Sequence, residues 1–101
     1  MRSVQVVRLD GPAAVEVRDV EEPVAADGQQ VVIDVRAAGV NFPDVLLTRG
    51  LYQYKPDPPF GLGSELAGVV REAPAGSGFT AGDRVAAFSI YGAFSEVAAV
   101  P

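Results

Sequence analysis

Between Ala37 and Val70 the chain reads AAGVNFPDVLLTRGLYQYKPDPPFGLGSELAGVV. A strand pattern ends at a glycine and Asn41 follows. One short helical segment comes next, and a loop dense in Tyr and Pro leads through Gly-Leu-Gly-Ser-Glu into another strand. Pro56, Pro58 and Pro59 fix φ and remove backbone donors, so regular structure between Leu51 and Leu62 is not expected. The middle of the chain therefore holds one helix of about two turns. Asn41 stands at its N-cap, Pro43 near its start and Gly50 just past its end.

The flanking segments read as strands. Ser3 to Leu9 is Val-rich and ends at Asp10-Gly11-Pro12. Ala14 to Val20 alternates Val15 and Val17 with Glu16 and Arg18, the pattern of a half-buried strand, and the two make a hairpin. Glu21 to Gln30 is a polar loop with an Asp27-Gly28 turn signal. Val31 to Ala38 is a third strand, with Asp34 and Arg36 on one face and Ile33 and Val35 on the other. Glu65 to Glu72 is a fourth, and its interior Gly68 marks a close backbone approach or a bulge. Arg84 to Phe88 and Phe94 to Val100 complete the set, with turns at Thr80 to Asp83 and Tyr91-Gly92. Short strands with one short helix predict a small β-barrel.

Composition removes several functions. The 101 residues suit one domain with one modest core. Without Cys or His there is no disulfide framework, no thiolate or imidazole zinc site, and no Ser-His-Asp or Cys-His nucleophile. A net charge of −5 with scattered cations disfavours nucleic acid. No apolar run approaches the roughly 20 residues a membrane helix needs. The Met1 end meets Asp10-Gly11 before a signal-peptide core forms, so a cytoplasmic protein is expected. Gly61, Gly63 and Gly68 give G-x-G-x-x-x-x-G at a strand entry, which is not the dinucleotide fingerprint.

AAGVN-FPD, GSE-LAG and the GDRV of Gly82 to Val85, in this order and spacing, resemble the first-domain signature of the medium-chain dehydrogenase/reductase superfamily. Within it the chain is most similar to the zinc-independent quinone oxidoreductase (zeta-crystallin-like) branch. The resemblance covers nearly all of residues 1–101. It implies a mainly β fold, a GroES-like, partly open β-barrel with one short helix. It also implies a nucleotide-binding Rossmann domain that these residues do not contain.

The resemblance further implies a site. Zinc-dependent relatives carry a Cys and a His where this chain has Asn41 and Ser64, so no zinc is expected. Hydride delivery to a quinone or a conjugated carbonyl needs only hydrogen-bond donors, because the acceptor spreads the developing charge. Asn41 and Tyr52 are the candidate catalytic residues. Phe42, Tyr54 and Ser64 are candidate substrate-lining residues, and Asn41 and Asp44 candidate contacts to NADPH. Bland readings stand beside these. Asn41 suits a helix cap, Asp44 suits the helix dipole, and Tyr52 and Tyr54 suit packing against the prolines. Glu65 reads as structural, accepting backbone or Arg hydrogen bonds. Tyr52 follows Arg49-Gly50-Leu51, one residue short of the family's R-x-G-x-Y, and Leu62 replaces its frequent Pro before Gly-x-Glu.

The expected function is the substrate-side domain of an NAD(P)H-dependent oxidoreductase acting on a small-molecule quinone or enone. The alternative is a free-standing GroES-like binding or assembly module. A long mobile Gly-rich docking loop would favour the alternative, but the long loop here is stiffened by proline. Homodimer formation is expected through the apolar last strand, Phe94 to Val100, and the helix from Phe42 to Leu47.

Overall fold

The computed structural model describes residues 1–25 and 28–101, so the turn expected at Asp27-Gly28 lies partly outside the described residues. The elements are β1 (Arg2–Val6), β2 (Val15–Asp19), β3 (Val31–Gly39), α1 (Phe42–Arg49), β4 (Phe60–Gly61), β5 (Glu65–Glu72), β6 (Arg84–Phe88) and β7 (Val97–Val100). They form two antiparallel sheets, ordered β2-β1-β4 and β6-β5-β3-β7, that do not close completely: a partly open, mainly β barrel. No helix among the described residues is long and apolar enough to cross a membrane.

The sheets meet along a backbone seam. Val4 N–H donates to Phe94 O at 2.8 Å, Phe94 N–H to Leu62 O at 2.8 Å, and Leu62 N–H to Val4 O at 2.9 Å. The last bond needs the N–H that a proline would lack, so Leu62 is bonded into the fold in a way its frequent family counterpart is not. Phe94 also packs against both apolar clusters. One contains Ile33, Leu66, Ala93, Ala98 and Val100; the other contains Val6, Leu47, Phe60 and Leu62. The buried polar groups of the seam are satisfied, with Ser3 Oγ 2.6 Å from Ser95 Oγ and accepting from Gln5 Nε2 at 2.7 Å.

Several expectations need correction. β1 ends at Val6 rather than Leu9. β2 is an edge strand with nothing packed over most of it, so Val17 is 68% exposed and only Val15 is partly buried. The proline loop does contain a two-residue strand, β4, paired to β1 through Gln5 and Val6. β7 begins at Val97, because Phe94 to Glu96 instead bond across the seam to Arg2, Ser3 and Val4. Val97, Ala98 and Val100 are buried within the chain, so β7 offers no free apolar face for a partner. Leu47 is buried as well, which leaves Phe42 as the exposed end of that second face.

Gly68 marks both of the features expected of it. A Cβ there would overlap the Asp34 carbonyl oxygen, and the β3–β5 register slips between Val35 and Ala37 beside it.

Candidate functional site

Three strand ends converge at one edge of the four-stranded sheet. Gly39, the last residue of β3, pairs with Glu65, the first of β5, and Glu65 pairs with Phe88, the last of β6. Asn41 lies two residues beyond Gly39 and Ser64 immediately before Glu65. Ser89 N–H donates to Ser64 O at 2.7 Å, which fixes the turn after β6 against the entry to β5. Sheet pairing thus brings together Asn41, Phe42 and Ser64, residues 23 positions apart at the extremes. An open recess of about 590 Å³ lies on this end, floored by Ala37, Ala67 and Ala86 and edged by Gly39, Glu65 and Phe88.

The start of α1 is held by a capping box between Asn41 and Asp44. Asn41 N–H donates to Asp44 Oδ2 at 2.8 Å, and Asp44 N–H donates to Asn41 O at 3.0 Å. The Asn41 side chain faces the same amide without forming a cap hydrogen bond. Its Nδ2 is directed to Gly39 O at a long 3.5 Å. Its carboxamide thus keeps capping-box placement over the helix start, while its Nδ2 is only loosely held. Asp44 is buried, and its Oδ1 has no hydrogen-bond partner among the described residues. At the other end Gly50 takes the left-handed conformation, φ 68°, and Leu51 N–H closes on Leu46 O at 3.0 Å.

Ser64 is 7% exposed, and no hydrogen bond engages its hydroxyl among the described residues. Phe42, the first residue of α1, is 72% exposed. Tyr52 and Tyr54 belong to a second neighbourhood. Tyr52 is half-buried against Val6, Leu47, Phe60 and Leu62, so its ring packs on the core behind α1. Tyr54 stacks on Tyr91, centroids 5.9 Å apart and planes 17° from parallel, and Tyr91 meets Phe60 edge-on at 5.9 Å. Burial, with a hydrogen bond that the Tyr91 hydroxyl donates to Tyr54, pushes the Tyr91 phenol above its ordinary value. A larger recess of about 680 Å³ lies over Ser3, Ser95 and Tyr91. Neither recess is lined by the residues singled out in the sequence as site candidates; in the larger one Ser3, Gln5 and Ser95 are already engaged with one another at the seam.

One residue of the converging edge departs from its sequence reading. Glu65 is exposed and its carboxylate makes no hydrogen bond or ion pair among the described residues, so the side-chain hydrogen bonding expected of it is not found. Phe88 is 71% exposed and edges the recess. The alternation of β6 carries that signal: Arg84, Ala86 and Phe88 share its open face. Among the described residues no group of three or more His, Cys, Asp or Glu is placed to hold a metal ion.

The chain belongs to the alcohol dehydrogenase GroES-like domain family, whose model matches residues 27–101. It is the first-domain portion of the medium-chain dehydrogenase/reductase pattern. It is 38% identical over 101 residues to the quinone oxidoreductase of Rattus norvegicus, covering 97% of this chain and 30% of that protein. Among solved structures it is similar to a probable oxidoreductase of Mycobacterium abscessus. That match has 52% identity and a TM-score of 0.94, over 99% of this chain and 32% of that one. It is also similar to the quinone oxidoreductase of Thermus thermophilus, solved alone and with NADPH. There the identity is 39% and the TM-score 0.81, over 100% of this chain and 30% of that one. The chain thus spans about a third of the length of these relatives.

Proposed function

We propose that this domain forms the substrate side of an NAD(P)H-dependent, zinc-independent oxidoreductase that reduces quinones or conjugated carbonyls by hydride transfer. The observation that carries the proposal is the Gly39–Glu65 pairing, which sets Asn41 and Ser64, two polar residues, just beyond the sheet end that borders an open recess. Both groups are hydrogen-bond donors suited to an oxyanion, and neither is a ligand that Zn²⁺ prefers. Tyr52 is included as a third donor, since its ring is packed while no protein group engages its phenol among the described residues.

The residues present fit only one end of the dinucleotide. The Asn41 carboxamide suits the nicotinamide amide. The start of α1 does not suit phosphate, because the Asp44 carboxylate already occupies that helix terminus and adds negative charge there. Asp44 therefore serves the site by holding Asn41 in place. When bound, the cofactor supplies the hydride; this chain orients the acceptor and stabilises the charge that develops on its oxygen.

The test compares two proteins. The 101-residue chain should bind NADPH weakly and turn over no quinone, whereas a protein joining it to a nucleotide-binding domain should oxidise NADPH with a simple quinone. Micromolar NADPH affinity of the chain alone, or an inert joined protein, would overturn the proposal. Stoichiometric zinc by elemental analysis would overturn the zinc-independent part. A cytoplasmic location and a homodimer belong to the same proposal, the dimer now resting on exposed Val40 and Phe42 rather than on β7. Sedimentation at several concentrations checks it, and a strict monomer removes it.

A further inference from the structure

We infer that Glu65 sets the charge preference of the recess, admitting neutral or cationic acceptors and disfavouring anionic ones. The inference rests on the proposed reading of this sheet end as the acceptor site. Its basis is a fit between two residues. A Cβ at Gly39 would overlap Glu65 Oε1 and lie 2.7 Å from its Cδ and 2.9 Å from its Cγ. The Glu65 side chain therefore lies flat across the β3 backbone in space that only a glycine leaves open. Asn41 Nδ2 is directed to the carbonyl of the same Gly39. The carboxylate and the carboxamide are thus gathered on one residue, at the edge of the recess.

That carboxylate is not neutralised. Of the ion pairs formed among the described residues, those of Arg2, Arg8, Arg18, Arg71 and the Met1 amine go to other acids. The exposed Arg71 illustrates the contrast, with Asp34 at 2.6 Å and Glu22 at 2.8 Å. Ser64, Asn41 and Phe88, which flank Glu65, are neutral. A single unpaired carboxylate thus faces whatever enters, and a second negative charge within several ångströms is repelled by an amount that salt screens.

The test uses the 101-residue chain and two probes, a neutral naphthoquinone and its monosulfonate, titrated while the amide resonances of Gly39, Asn41 and Ser64 are followed. The neutral probe should shift these amides with a Kd about fivefold lower than the sulfonate at low salt, a ratio on the scale of one unit charge at short range in water. Raising the salt should shrink the ratio, which needs no variant. Glu65→Gln should bring it close to one. Glu72→Gln, at the far end of β5 about 20 Å away by strand rise, should leave it unchanged. Equal Kd values for both probes in the unaltered chain, or an unchanged ratio in Glu65→Gln, would overturn the charge inference and leave the site reading standing. Absence of shifts at these amides with either probe would overturn the site reading and this inference with it.

Discussion

Asp44 Oδ2 accepts the Asn41 backbone N–H at 2.8 Å, while Asp44 Oδ1, equally buried, meets no donor among the described residues. One oxygen ties the helix start to the residue that enters the site, and the other is desolvated without return. The carboxylate is thus more useful for where it places Asn41 than for its net contribution to stability.

Asp44→Ala should therefore lower stability by about 1 kcal/mol, the scale of a lost cap, which in a domain of this size is a fall of about 4–8 °C in Tm. Asp44→Asn keeps an oxygen for the Asn41 N–H and removes the buried charge, so it should lose less than half as much. Thermal unfolding followed by circular dichroism checks both. An Asn variant as damaged as the Ala variant would show that the charge itself, acting on the helix dipole, is the larger effect.

The family and the barrel were legible because they rest on order and spacing: AAGVN, the lone helix from Asn41 to Gly50, GSE and GDRV. The helix bounds came from Pro43 and Gly50, whose backbone preferences are local. What escaped was set by contacts between distant residues. Phe94 to Glu96 look like strand in sequence, yet they serve the seam with β1. Val17 alternates as if half-buried, but no element arrives to cover β2. The uncovered state of Glu65 depends on its pairing with Gly39, and no local pattern encodes which glycine will lie opposite.

Gly68→Ala should be among the most damaging small substitutions. The added methyl would overlap the Asp34 carbonyl oxygen and lie 2.8 Å from Ile33 Cγ2, between backbone and core. Neither neighbour can retreat without disturbing the β3–β5 pairing that aligns Gly39 with Glu65. A loss of about 3 kcal/mol is expected, at the upper end for overpacked sites. Urea unfolding measures it, and a loss under about 1 kcal/mol would mean that the bulge absorbs the methyl.

The stability profile with pH should show two shoulders, both from groups at the β1 end. The Arg2 backbone N–H bonds Glu96 Oε1 and holds that carboxyl below its ordinary 4.5. Its contribution is present above that value and is lost as pH falls through the lowered one. A hydrogen bond to Asp19 raises the Met1 amine above its ordinary 8.0. That contribution is present below 8.0 and disappears as pH rises through the raised value. Both groups are exposed, so the shoulders should be shallow. Melting temperatures across pH check this. Glu96→Gln should flatten the acid limb, and acetylation of Met1 the alkaline one.

Asn41→Ala and Tyr52→Phe separate chemistry from packing in a protein that joins this domain to a nucleotide-binding domain. The Asn41 side chain forms no cap hydrogen bond, so its removal should cost well under the roughly 1 kcal/mol of a bonded cap. Tyr52→Phe keeps the ring against Val6, Leu47 and Phe60, so its stability should change by no more than about 0.5 kcal/mol. Turnover should behave differently. Loss of one oriented donor at a developing oxyanion lowers kcat by about 10²–10³. Asn41→Ala should show that drop, with the fall in kcat/KM at least as large, since the donor acts on the transition state more than on the bound acceptor. Tyr52→Phe should fall by a similar factor if its phenol reaches the acceptor oxygen once the two domains face each other. Paired melting curves and steady-state kinetics decide the matter. A lowered Tm with kcat unchanged would return Asn41 to the role of a helix cap, and an unaltered rate in Tyr52→Phe would make its ring a packing element of the cluster behind α1.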